Sequence, residues 1–130
     1  MRFEHFKKGE IAEAMSDSKD GRTWLLGSEN ADDVFSGYWT RRRSGDIETQ
    51  VWRWHDAGEV ESIIAGQLHL QIADESGRVT DDVILKEGDL FYIGKNVRHR
   101  ADAVGEELCV GLLFCPKPYP IAEGQPSWSD

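Results

Sequence analysis

The sequence predicts a single all-β domain, a sandwich or barrel, preceded by a short helix. Three observations lead there. A chain of 130 residues can build one core but not two. Runs rich in β-branched and aromatic residues recur at 34–40, 49–55, 63–73, 83–85, 90–93 and 108–114. Between them lie Gly and Asp/Asn clusters, such as Ser44-Gly45-Asp46, Asp56-Ala57-Gly58, Gly94-Lys95-Asn96 and Val104-Gly105-Glu106. Short strands with turn signals at this spacing are the pattern of an antiparallel sandwich or barrel.

Residues 8–17 suit a short helix, with Ile11 and Met15 on one face at i, i+4. Residues 17–21 break it, and from Arg22 onward the chain reads as strands. One domain spans 1–130, with its barrel core at about 34–114. The tail 115–130 holds all four prolines and has no periodicity, so it runs over the surface or across a partner chain.

Charge narrows the function. Lys plus Arg is 15 and Asp plus Glu is 24, a net charge of −9. Such a chain repels a phosphate backbone and an anionic bilayer, which argues against nucleic-acid and membrane partners. No run approaches the ~20 apolar residues of a membrane span. The segment Met1-Arg2-Phe3-Glu4-His5 has no apolar signal core, so a cytoplasmic protein is expected. Cys109 and Cys115 form no CxxC pair and read as two thiols.

Alternation assigns faces. In 49–55, Thr49, Val51, Arg53 and His55 share one side, while Gln50, Trp52 and Trp54 share the other. His69 shares a polar outer face with Gln67 and Gln71, and Arg98 and Arg100 point away from His99 between them. Arg41-Arg42-Arg43 reads as a solvated turn, and His5 as a surface residue. The five tryptophans fit a core, a dimer contact or the lining for an aromatic substrate.

Two segments resemble the paired motifs of the cupin family. The first is His55-Asp-Ala-Gly-Glu59-Val-Glu-Ser-Ile-Ile-Ala-Gly66, which fits the first motif at His55, Glu59 and Gly66. The second is Gly88-Asp-Leu-Phe-Tyr-Ile-Gly94-Lys-Asn96-Val-Arg-His99, which fits the second motif at Gly88 and His99. The chain departs from the pattern elsewhere. Arg53 stands where the family has its first ligand His, and Ile47 where it has a leading glycine. Gly94, Asn96 and Ala103 replace the proline, second glycine and asparagine of the second motif. Gly94 and Asn96 still suit a turn, because both tolerate positive φ. The run 88–93 and the strand before it look somewhat like the aromatic-ring-cleaving dioxygenases of the family. The chain also resembles, loosely, the degenerate cupin of ethanolamine-utilisation systems.

The resemblance implies a double-stranded β-helix, or jelly-roll barrel, and a homodimer with its site inside the barrel. It implies a metal site of His55, Glu59 and His99. Two imidazoles and a carboxylate suit one divalent ion, Fe, Mn, Ni or Zn, and leave positions open. Arg53 cannot ligate, since a guanidinium stays protonated and has no lone pair. By parity it faces the same way as His55, where it pairs with Glu61 or forks onto a carboxylate of a small-molecule substrate. Three functions stay open. One is a metal-dependent enzyme on a small polar or anionic metabolite, foremost an Fe(II)-type dioxygenase. Another is a metal-free lyase, dehydratase or isomerase, with His55 and Glu59 as the catalytic pair. The third is a non-catalytic small-ligand binder.

Overall fold

The structure is a computed structural model, and it describes His5, residues 22–26, 35–45 and 51–116. The expected helix at 8–17 and most of the tail lie outside these residues. Eight strands are present among them: β1 Arg22–Leu26, β2 Phe35–Arg42, β3 Glu59–Ala65, β4 Leu68–Ala73, β5 Val79–Leu85, β6 Leu90–Ile93, β7 Arg98–Ala103 and β8 Cys109–Pro116. They form a five-stranded sheet in the order β1-β2-β8-β3-β6 and a three-stranded sheet in the order β5-β4-β7. Every pairing is antiparallel. The all-β expectation holds, and two antiparallel sheets in this arrangement are consistent with a jelly roll.

From β3 onward the chain keeps changing sheets. It crosses at Gly66, Gly88, Asn96 and Gly105, all in the left-handed region with φ of 75°, 91°, 61° and 73°. Glycine at 66 is a packing requirement as well. A Cβ there would collide with the Leu108 carbonyl and lie 2.9 Å from Cys109 Cα. This corner splits the run 63–73 into β3 and β4, which sit in different sheets. Of the two substituted turn positions, Asn96 has positive φ; Gly94 does not.

Between the sheets, Ile63, Leu68, Ala103 and Cys109 form a buried cluster, with Leu85, Phe91 and Ala101 packed against it. Tyr38, Leu113 and Cys115 make a second cluster. Each fully buried aliphatic side chain here contributes about 1.5–3 kcal/mol by leaving water.

Two elements differ from the sequence reading. The described part of 49–55 is not a ladder strand. Trp52 and Arg53 are isolated bridge residues, and Arg53 pairs with His99 of β7 through two backbone hydrogen bonds of 2.9 Å. The Asp56-Ala57-Gly58 turn follows at once, so pairing cannot propagate. Conversely, β7 is a full strand although Arg-His-Arg-Ala-Asp-Ala has little β propensity. Its alternation decides: His99, Ala101 and Ala103 face the interior, and Arg98, Arg100 and Asp102 face out.

Candidate metal centre

His55, Glu59 and His99 come from three separate elements. His55 ends the segment 51–55, and its carbonyl accepts a 2.7 Å hydrogen bond from the Asn96 N–H. Glu59 opens β3 directly after the turn, on the inward face opposite Ile93. His99 lies on the inward face of β7. All three are buried, and one ligand atom from each lies within 4.8 Å of the other two. The imidazole centroids are 5.1 Å apart with the rings tilted by 54°. His99 Nε2 is 3.5 Å from Glu59 Oε1, near enough for attraction and too far for a good hydrogen bond.

The donor set fits a divalent ion. His99 Nδ1 lies 2.9 Å from the Val97 carbonyl, which can only accept. The ring proton therefore sits on Nδ1, and the Nε2 lone pair faces Glu59 and His55. Burial, aided by the charges of His55, Arg42 and Arg53, holds the His99 pKa down at about 4, although the Val97 bond opposes the shift. At neutral pH His99 is therefore in the neutral form that ligates.

Arg53 lies opposite His99 across the bridge, near enough for its charge to act on that imidazole. It does not bind Glu61 as the sequence suggested. Glu61 is fully buried, and Arg42 forks onto both its oxygens, at 2.7 and 2.9 Å. Desolvation opposes charge on Arg42, but the Glu61 carboxylate outweighs it and raises the pKa. Glu61 thus serves an internal ion pair. Arg42 is not the solvated turn residue expected of the run 41–43. Arg42 follows Tyr38 and Thr40 at intervals of two, so the parity of β2 was the signal that pointed it inward. Gly111 makes room for the pair: a Cβ there would lie 2.6 Å from Glu61 Oε2 and 2.7 Å from Thr40 Oγ1.

The other singled-out residues lie elsewhere. His69 is 2.6 Å from Asp82 on the outer face of β4. Arg98 and Arg100 stack over Trp54 and Trp52, each 4.7 Å from the ring centroid, on the side of β7 away from His99. His5 is exposed.

The family profile described as Cupin domain matches residues 44–115. The chain belongs to the cupin family. Solved cupin structures share its fold. A variant of Bacillus subtilis oxalate decarboxylase is 24% identical with a TM-score of 0.66, covering 86% of this chain and 30% of that one. The plu4264 protein of Photorhabdus luminescens is 22% identical with a TM-score of 0.64, covering 91% and 90%. The Schizosaccharomyces pombe Cnp3 cupin domain is 9% identical with a TM-score of 0.58, covering 73% and 59%. This cupin therefore spans less than two thirds of the Cnp3 and oxalate decarboxylase chains. No curated protein matches its sequence.

Proposed function

We propose that this cupin is a metal-dependent enzyme acting on a small carboxylate-bearing metabolite, and that its specific chemistry is Fe(II)-type dioxygenation. The observation that carries the reading is the convergence of His55, Glu59 and His99, with the His99 lone pair turned inward by Val97. A bound ion would supply Lewis acidity and, as Fe(II), one-electron chemistry toward dioxygen. The protein's own part is to hold His99 neutral and to bring the Arg53 charge beside it. Arg53 is the anchor for the substrate carboxylate, because a guanidinium offers the planar fork that a carboxylate matches. Oxalate, the compound for which the Bacillus subtilis relative is named, is a first candidate of the right charge class.

The test is turnover of a panel of small mono- and dicarboxylates, followed by oxygen consumption and product analysis. Chelation should abolish turnover and one metal should restore it. Arg53→Lys should raise KM for the carboxylate at least tenfold, because a point charge replaces a fork. Full turnover after exhaustive chelation would refute the metal reading.

The 3.5 Å approach of His99 to Glu59 also favours a second reading, acid–base chemistry in a metal-free pocket. In that case His55→Ala abolishes turnover in protein that binds no metal.

A further inference from the structure

We infer that Tyr92 is a positioning residue, whose ring staples the turn bearing His55 and Glu59 to the turn that orients His99. The inference rests on the metal reading and deepens it, because the staple fixes the spacing of the three ligands. Tyr92 lies on the outer face of β6 and is 69% exposed, so burial in the core does not account for it. Its ring lies instead against two glycines, one in each turn. A Cβ on Gly58 would be 2.6 Å from the Tyr92 hydroxyl, 2.9 Å from Cε2 and 3.1 Å from Cζ. A Cβ on Gly94 would be 3.8 Å from Cε1 and 3.9 Å from the hydroxyl. Neither glycine has positive φ. The backbone therefore does not demand glycine at 58. The ring does, because any side chain there would meet it.

Each turn carries part of the ligand set. His55 begins the first turn, and Gly58 directly precedes Glu59. Glu59 is held opposite Ile93, the residue after Tyr92 in β6. In the second turn, 94–97, the Asn96 N–H donates to the His55 carbonyl at 2.7 Å. The Val97 carbonyl accepts from His99 Nδ1 at 2.9 Å, and the Val97 N–H closes on the Gly94 carbonyl at 3.2 Å. All three ligands are thus tied to the second turn or to the strand that leads into it. Asn96 keeps that turn at φ 61°, a conformation Asn tolerates better than most side chains. Lys95 reaches Asp56 at 3.2 Å, but both are exposed, and such a pair contributes little. One backbone hydrogen bond also contributes modestly on its own. The ring packed on both glycines is what keeps the two turns in register.

Zinc titration of the full chain, read by competition with a chromophoric chelator, tests the inference beside hydrogen–deuterium exchange of the metal-free protein. Tyr92→Ala should stay folded by circular dichroism. It should bind zinc at least about tenfold more weakly, as when the partners that orient ligands are removed. Tyr92→Phe keeps the ring and should bind zinc as the wild type does. In the metal-free protein, exchange of the Asn96 amide should accelerate at least about tenfold in Tyr92→Ala, because its bond to His55 opens more often. Exchange in β4 should stay unchanged. Gly58→Ala displaces the ring and should weaken zinc binding as Tyr92→Ala does. The double variant should be no worse than either single one, since ring and notch act as one unit. If Tyr92→Ala fails to fold, Gly58→Ala carries both expectations. Wild-type zinc affinity in folded Tyr92→Ala would overturn the inference, and so would unchanged Asn96 exchange. A wild type that takes up no zinc refutes the metal reading instead. The staple is then supported by accelerated Asn96 exchange and overturned by its absence.

Discussion

At the scale of residues, His99 combines a proposed ligand role with a stability cost. Its folded pKa of about 4 lies below the ordinary 6.5. The unfolded chain therefore takes up a proton first, and folding stability is full above about pH 6.5 and is lost as pH falls toward 4. The loss is on the order of 3 kcal/mol from this group. Melting curves of the chelated protein between pH 4 and 7 should show this slope, and His99→Gln should flatten it. The Arg42–Glu61 pair gives a second expectation. Arg42→Ala leaves a fully buried carboxylate without its counter-charge and should cost about 3–5 kcal/mol in urea denaturation. Arg42→Met with Glu61→Leu should recover most of that loss, because the desolvated charges are then both gone. His55, Glu59 and His99 were legible in the sequence because motif spacing and ligand chemistry agree on them. The partner of Glu61 was not. Only the register of β2 against β8 shows that Arg42, and not Arg53, reaches it.

At the scale of elements, legibility followed the strength of the local pattern. β2, β6 and β8 lie within a few residues of their apolar runs, because each pairs a clear alternation with a turn signal. β7 had no such run. Its outward positions are Arg98, Arg100 and Asp102, and only its small inward residues mark it as a strand. The segment 51–55 failed in the opposite way, since its tryptophans and valine read as a strand and the following turn cuts the ladder to isolated bridges at Trp52 and Arg53. The corners are the most exacting elements. Gly66→Ala should destabilise by more than about 2 kcal/mol, because a left-handed backbone and a backbone collision add together. Gly45→Ala, also at positive φ but with nothing within 4 Å of the new Cβ, should cost only about 1 kcal/mol. Equilibrium unfolding of the two variants compares them directly.

At the scale of the molecule, the chain encloses its polar chemistry and exposes apolar surface. The interior holds two imidazoles, two carboxylates and a forked arginine, and the outward side of the same sheet carries Tyr92, Leu90 and Phe114. Polarity alone does not say which side of a strand is inside: the sequence reading put His69 outside, where it lies, but left Arg42 in solvent, whereas it reaches the buried Glu61. Among the described residues, no helix is long and apolar enough to cross a membrane. Family membership fixes the architecture, and the central claim is that its three ligands still hold an ion although Arg53 has replaced a fourth. Elemental analysis of untagged protein by inductively coupled plasma mass spectrometry tests it most directly, with His99→Ala alongside. Close to one iron, manganese, nickel or zinc ion per chain is expected, lost in the variant while the fold persists. No metal in the wild type, even after reconstitution with each of the four ions, would contradict it.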